Sequence, residues 1–101
     1  MSCGIKHEGA TSTITVAGRF VFELHRAFRD AYEEAQNRAQ TTLVVIDLSG
    51  VEYLDSSALG MMLLMKERLV PAGKKIQLKG AAPMVRRILE TANFQKLFEI
   101  V

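Results

Sequence analysis

The chain has 101 residues, of which 49% are hydrophobic and 24% charged, which fits a single domain over residues 1–101 and leaves no room for a second. Thirteen Lys and Arg against eleven Asp and Glu give a net charge of +2, and because the basic residues are scattered along the chain, nucleic acid is not an expected partner. The longest apolar block, at 58–65, is far shorter than the ~20 residues that cross a bilayer, and no apolar signal segment opens the chain, so we expect no direct membrane partner and a cytoplasmic location.

The N-terminal third predicts one or two strands followed by a helix. Ile14 and Val16 alternate with threonines, which indicates a strand that stops at Gly18. The preceding segment, 5–8, is at best a weak strand. From about 21 to 38, apolar residues recur at helical spacing and charged residues fill the other face, which predicts an amphipathic helix. Its apolar stripe consists of Leu24, Phe28, Ala31 and Ala35.

The middle of the chain predicts a central strand and a second helix. The run at 43–46 is apolar, β-branched and too short for a helix, which is typical of a strand covered on both faces. Asp47 closes this strand and turn residues follow at 49–50. The helix begins after the small polar residues at 55–57 and stops before Pro71. Its predicted core stripe consists of Ala58, Met62, Met65 and Leu69.

The C-terminal part predicts one more strand, one more helix and a short tail. Ile76 and Leu78 alternate with polar residues in a strand that ends at Gly80, and Pro83 suits the first turn of a third helix. The tail, 97–101, returns as a short strand or packs as coil. Because strands linked through helices run parallel with right-handed crossovers, we expect an α/β fold: a mixed sheet of four to five strands with helices packed over it.

The usual signatures of catalysis, cofactor binding and metal binding are missing from the sequence. His7 and His25 lie far apart, with no cysteine or paired carboxylate at ligand spacing. No glycine-rich phosphate loop occurs, and no serine has a Gly-x-Ser-x-Gly context. We therefore expect no metal, no cofactor and no catalytic residue, although an enzyme whose motifs are unrecognised stays open as an alternative. Cys3 is the only cysteine, so no intramolecular disulfide can form, and it is expected in a frayed N-terminus.

The remaining candidate site is the junction between the predicted central strand and the second helix. Asp55, Ser56 and Ser57 lie where free backbone N–H groups and the positive end of the helix dipole favour added negative charge. One interpretation is that a serine here accepts a phosphate. The other is that Asp55 or one of the serines is simply the helix N-cap. The two interpretations are compatible.

Two leucines of the second helix fall outside its predicted core stripe. Leu63 and Leu64 lie more than a third of a turn from that stripe, among charged residues. Beside a phosphorylated serine they would form a docking face, because a phosphate against an apolar partner surface must be desolvated. We expect this face to include Leu59, Leu63 and Leu64. The alternative is that neighbouring elements cover the two leucines.

The segment from Ile46 to Gly60 resembles the signature of STAS domains, in particular the bacterial anti-sigma factor antagonists. The matching residues are Ile46-Asp47-Leu48-Ser49-Gly50-Val51 and Leu54-Asp55-Ser56-Ser57-Ala58-Leu59-Gly60. The resemblance implies that Ser56 is phosphorylated by a partner that is both serine kinase and anti-sigma factor, and that a PP2C-type phosphatase removes the phosphate. The unphosphorylated antagonist would sequester the kinase and so release the sigma factor or another target. Asp55 would orient the serine or cap the helix, with Ser57 in support.

The chain departs from the family pattern at two places. After Gly18 many family members carry an acidic residue and then an aspartate that helps form the site, whereas this chain has Arg19-Phe20-Val21-Phe22. This departure implies a different subgroup or a different partner. Ala58 also stands where glycine is common. An alternative function is a STAS binding subunit that does not switch, such as the small subunit of a lipid transport complex.

Overall fold

The computed structural model describes residues 2–101 and contains one five-stranded sheet with three α-helices. The strands are β1 (Ser2–Glu8), β2 (Thr11–Phe20), β3 (Leu43–Leu54), β4 (Lys75–Lys79) and β5 (Glu99–Ile100), and the helices are α1 (His25–Asn37), α2 (Ser56–Leu69) and α3 (Pro83–Thr91). The strands follow one another across the sheet in chain order. β1 is antiparallel to β2, and every other neighbouring pair is parallel. This mixed sheet confirms the predicted α/β fold.

All three helices pack on the same face of the sheet. The strand order advances uniformly from β2 to β5, so right-handed crossovers carry each connecting helix to the same side. On that side, one row of apolar residues in register crosses the whole sheet and contributes to the hydrophobic core. The row consists of Ile5, Ile14, Ile46, Leu78 and Ile100.

The opposite face of the sheet is not covered by any helix within residues 2–101. Val45 lies on this face and is only 7% exposed, yet it stands outside the hydrophobic core cluster. Its neighbours in register are Thr13 and Gln77. The prediction that the strand at 43–46 is covered on both faces is therefore wrong, because side chains of the adjacent strands are enough to shield one apolar residue.

β2 and β3 both run beyond their predicted ends. β3 passes through the predicted turn at 49–50, and β2 passes Gly18. The pairing of the two strands slips twice, and β3 carries an extra residue each time. Bulges of this kind bend a strand without ending it, so turn-forming residues are accommodated inside β3. At the first bulge, Oδ1 of Asp47 accepts hydrogen bonds from Ser49, from its N–H at 3.0 Å and its hydroxyl at 2.7 Å.

The N-terminal strand is longer and better formed than predicted. β1 pairs with β2 along its whole length, and Gly9, with φ 58°, takes the first central position of the connecting turn, as in type II′ hairpins. Cys3 pairs with Val16 and is partly buried, so from Ser2 onwards the chain is held in the sheet and is not frayed as expected. The tight hairpin holds the strand in place although its own apolar pattern is weak. Burial raises the pKa of the Cys3 thiol to about 11.

The helices bury the apolar stripes predicted for them. The whole predicted stripe of α1 is buried, although a short 3₁₀ turn at Phe22–Leu24 precedes the helix, which begins at His25. All four predicted core residues of α2 are buried together with Met61. The C-terminal tail forms the short strand β5, one of its two predicted outcomes. Within residues 2–101 the helices are too short or too polar to cross a bilayer.

Candidate functional site

Ser56 is the first residue of α2, and only Asp55 separates it from the end of β3. The backbone N–H of Asp55 donates to the carbonyl of Phe20 at 3.4 Å, which ties the start of the helix to the end of β2. Oδ1 of Asp55 accepts a hydrogen bond from the N–H of Ala58 at 3.1 Å. Asp55 is therefore the N-cap of α2, one of the roles considered for this segment.

The hydroxyl of Ser56 is accessible and unpaired. Ser56 is exposed, while Ser57 is half-buried. Among residues 2–101 no atom forms a hydrogen bond with Oγ of Ser56, and none accepts from the backbone N–H groups of these two serines. The N-terminus of a helix carries about half a positive charge. Ser56 is thus open to solvent at a helix terminus, a position that favours negative charge.

An exposed ridge runs along α2 from Ser56. Residues spaced four, three and four apart share one line on a helix, and all four residues on this line are exposed. Leu63 is 37% exposed, and Leu64, on the flank towards α1, is 56% exposed. The neighbouring elements therefore do not cover the two leucines, while Leu59 on the other flank is half-buried. This line, the α2 ridge, consists of Ser56, Gly60, Leu63 and Glu67.

Two side-chain pairs at the same edge of the sheet were missed by sequence reasoning. The guanidinium of Arg19 lies 5.5 Å from the centroid of the Tyr53 ring. Phe22, which is 60% exposed, stacks on His25 with ring centroids 4.5 Å apart. Arg19 and Phe22 belong to the segment that departs from the family pattern, and that departure was the available signal. Only the register between β2 and β3 shows which residue Arg19 meets.

A partly buried polar cluster lies at the other end of the sheet, where β2 begins. Oγ of Ser12 is 2.7 Å from Nδ1 of His7 and 2.7 Å from the hydroxyl of Thr41, and Nε2 of His7 contacts a carboxylate oxygen of Glu34. The order serine, histidine, carboxylate is that of a hydrolase triad. Ser12, however, is 0% exposed, so no substrate can reach its hydroxyl. These hydrogen bonds instead connect β1 and β2 to α1.

Comparisons with known proteins agree on one family. A family model described as "Mlab, STAS domain" matches residues 3–100. A STAS-domain containing protein of Pseudomonas aeruginosa is 43% identical over 93 residues, which are 92% of this chain and 90% of the relative. Both matches span nearly the whole chain and include the segment that carries the resemblance, which they confirm.

Solved structures share the fold at low sequence identity. The anti-sigma factor antagonist SpoIIAA of Bacillus matches in its unphosphorylated form with a TM-score of 0.77 at 17% identity, over 99% of this chain and 87% of that one. Its phosphorylated form matches with a TM-score of 0.75 at 15% identity, over 99% and 91%. The STAS domain of a SulP transporter from Vibrio cholerae matches with a TM-score of 0.73 at 18% identity, over 85% and 68%. These structures show the fold alone, but with the family model and the Pseudomonas relative they lead to one conclusion: the chain belongs to the STAS domain family.

Proposed function

We propose that this protein is an anti-sigma factor antagonist controlled by phosphorylation of Ser56. In the unphosphorylated state, the α2 ridge with Leu59 and Leu64 binds a serine kinase that is also the anti-sigma factor, and the sigma factor or another target is released. Phosphate on Ser56 ends this complex, and a PP2C-type phosphatase restores the binding state. The observation that carries the proposal is the exposed, unpaired hydroxyl of Ser56 on the same ridge as the exposed Leu63.

The switch is electrostatic and steric and needs little change of fold. A phosphate adds about −1.5 to −2 charges, which the N-terminus of a helix stabilises by ~0.3–1 kcal/mol. In the complex the same charge would face the apolar partner surface that covers Leu63, where desolvation costs several kcal/mol. Since ~1.4 kcal/mol changes an affinity tenfold, the phosphate dissociates the partner.

Asp55 positions the serine and takes no part in the phosphoryl transfer. Its Oδ1 already accepts from the N–H of Ala58, which holds the first turn of α2 in place. The kinase supplies the groups that activate the Ser56 hydroxyl and bind the nucleotide. Ser57 is half-buried one position further on, where its side chain points away from the α2 ridge.

Phosphopeptide mass spectrometry tests the proposal. The protein is incubated with ATP and with the kinase that co-purifies with it from its native cell. We expect one phosphate on Ser56, no phosphate on Ser56→Ala, and normal labelling of the matched control Ser57→Ala. Ser56→Ala should bind the kinase constitutively, and Ser56→Asp should bind it more weakly. Phosphate on Ser57 would overturn the assignment.

A constitutive binding subunit of a membrane transport complex is the second candidate. It is favoured by the family description, which names Mlab, and by the shared fold with the STAS domain of a SulP transporter. In this role the α2 ridge would bind its partner without any phosphorylation. A stable complex with a membrane ATPase, together with unmodified Ser56 in protein from the native cell, would support this candidate over the switch.

A further inference from the structure

A groove lies between α1 and α2, next to the α2 ridge. Its volume is about 140 Å³, and most of its walls are apolar or aromatic. An apolar cavity of about 150 Å³ is large enough to bind benzene. The groove therefore has room for one large apolar side chain from outside. The residues that define this α1–α2 groove are His25, Phe28, Arg29, Tyr32, Met61 and Leu64.

The hydroxyl of Tyr32 has no hydrogen-bond partner among residues 2–101. Tyr32 is only 5% exposed, and its ring meets Phe28 edge-on with centroids 5.6 Å apart. No fully buried side-chain oxygen of the described residues is left unpaired, so this hydroxyl is not fully buried, and its side chain lines the groove. Buried tyrosines usually have a partner for this group. The Tyr32 hydroxyl is therefore available to a group that enters the groove.

The charges around Tyr32 favour a negatively charged group. Arg29 lines the groove and contacts a carboxylate only loosely, with Nε 3.9 Å from Oδ1 of Asp30. Burial raises the pKa of Tyr32, the cations Arg68 and Arg29 act in the opposite direction, and Glu33 adds to the rise. The hydroxyl is thus a protonated donor at neutral pH, and Arg29, which lines the same groove, can pair with a carboxylate that accepts from it.

We propose that the α1–α2 groove binds one large apolar side chain of the partner protein, and that a carboxylate in the same partner segment accepts from the Tyr32 hydroxyl and pairs with Arg29. This inference rests on the proposed function, because Leu64 belongs both to the docking face and to the groove. The occupant is a protein segment that combines phenylalanine or leucine with aspartate or glutamate. Such a segment would anchor the partner beside Ser56 and select it by charge.

Two short peptides test the inference on the isotope-labelled full chain. The first is acetyl-Glu-Phe-Leu-Glu-amide, and the second has lysine in place of both glutamates. We expect saturable NMR shifts at Met61 and Leu64, and roughly tenfold tighter binding of the acidic peptide, the combined effect of one net hydrogen bond and one exposed ion pair. Tyr32→Phe keeps the ring and should weaken the acidic peptide about two- to tenfold, the range of one net hydrogen bond, with no change for the lysine peptide.

Several outcomes would overturn the inference. Equal affinity for the two peptides would show that binding is not selective for negative charge. NMR shifts confined to other surfaces would show that the groove is not the binding site. Shifts at Met61 and Leu64 caused by phosphatidylglycerol vesicles but by neither peptide would assign the groove to lipid. The peptides also separate the inference from the proposed function. Peptide binding in the groove with no kinase acting on Ser56 refutes the switch alone, whereas phosphorylated Ser56 with no peptide binding refutes the groove alone.

Discussion

The guanidinium of Arg19 lies over the ring of Tyr53, and the two residues are register partners at the ends of β2 and β3. Tyr53 is 44% exposed, so the pair forms part of the surface between the end of the sheet and Ser56. The family resemblance implies an acidic residue after Gly18, where this chain has Arg19. Under the proposed function, this cation changes the charge that the partner meets.

Reversing the charge of Arg19 should therefore weaken partner binding. We expect Arg19→Glu to lower the affinity about tenfold and to slow association at low salt, because complementary charges steer the encounter, while Arg19→Lys stays close to wild type. The stability should change by about 1 kcal/mol or less, as for an exposed cation–π pair. Binding kinetics at two salt concentrations check this. Salt-independent binding that Arg19→Glu leaves intact would contradict it.

Removing the cap of α2 should destabilise the protein. Asp55→Ala removes the side-chain acceptor of the Ala58 N–H and leaves it only the backbone carbonyl of residue 55 at 3.1 Å, and we expect a loss of about 1 kcal/mol in the free energy of unfolding. For a domain of this size that corresponds to a fall in Tm of about 4–8 °C. Asp55→Asn, which keeps a capping oxygen, is the matched control and should lose much less. Thermal unfolding followed by circular dichroism measures both, and equal losses would show that charge matters more than the cap.

Gly60 offers a way to separate stability from binding. A Cβ at this position would meet no atom within 4 Å, and glycine inside a helix costs about 0.5–1 kcal/mol relative to alanine. Gly60→Ala should therefore stabilise the protein by about that amount. On the α2 ridge, however, the added methyl stands between Ser56 and Leu63 and should weaken binding of the partner. The free energy of unfolding, measured with urea, should rise while the affinity for the partner falls. Unchanged affinity would show that the contact surface lies elsewhere.

The stability should fall in acid through Asp47. Two hydrogen bonds from Ser49, the stronger effect from its N–H and the weaker from its hydroxyl, hold the pKa of Asp47 below its ordinary value. At pH values between the folded-state pKa and the ordinary pKa, the unfolded chain binds more protons than the folded one, so stability rises with pH. The contribution is fully present above about pH 4, the ordinary pKa of aspartate, and is lost as the pH falls through the lower folded value.

Asp47→Asn should flatten this acid dependence, at a cost of about 1 kcal/mol or less near neutral pH because water screens the carboxylate. Ser49→Ala removes only the hydroxyl bond and should have an intermediate effect. Urea unfolding at a series of pH values between about 3 and 6 compares the three proteins. An acid dependence that is unchanged in Asp47→Asn would assign it to other carboxylates.

The sequence by itself determined the features that depend on neighbours within a few positions. The stripe of α2 follows from helical periodicity, so the burial of Met62 and Met65 and the exposure of Leu63 and Leu64 could all be predicted from spacing. The cap is equally local, because an N-cap bonds only two or three residues ahead, but the sequence left it open between Asp55 and the two serines and began the helix after residue 57, whereas α2 begins at Ser56 with Asp55 as its cap.

Tertiary structure alone decided the features that depend on partners far away in the chain. Residues 49–50 are typical of a turn, but hydrogen bonds from β2 keep them inside β3 as part of a bulged strand. The uniform strand order placed all helices on one side of the sheet. On the other side, only the side chains of adjacent strands shield Val45. The same long-range pairing brought Arg19 to Tyr53, and the packing of α1 on α2 created the groove around Tyr32. Neither could be predicted, because periodicity shows which face of an element a residue lies on but not which residues it contacts there.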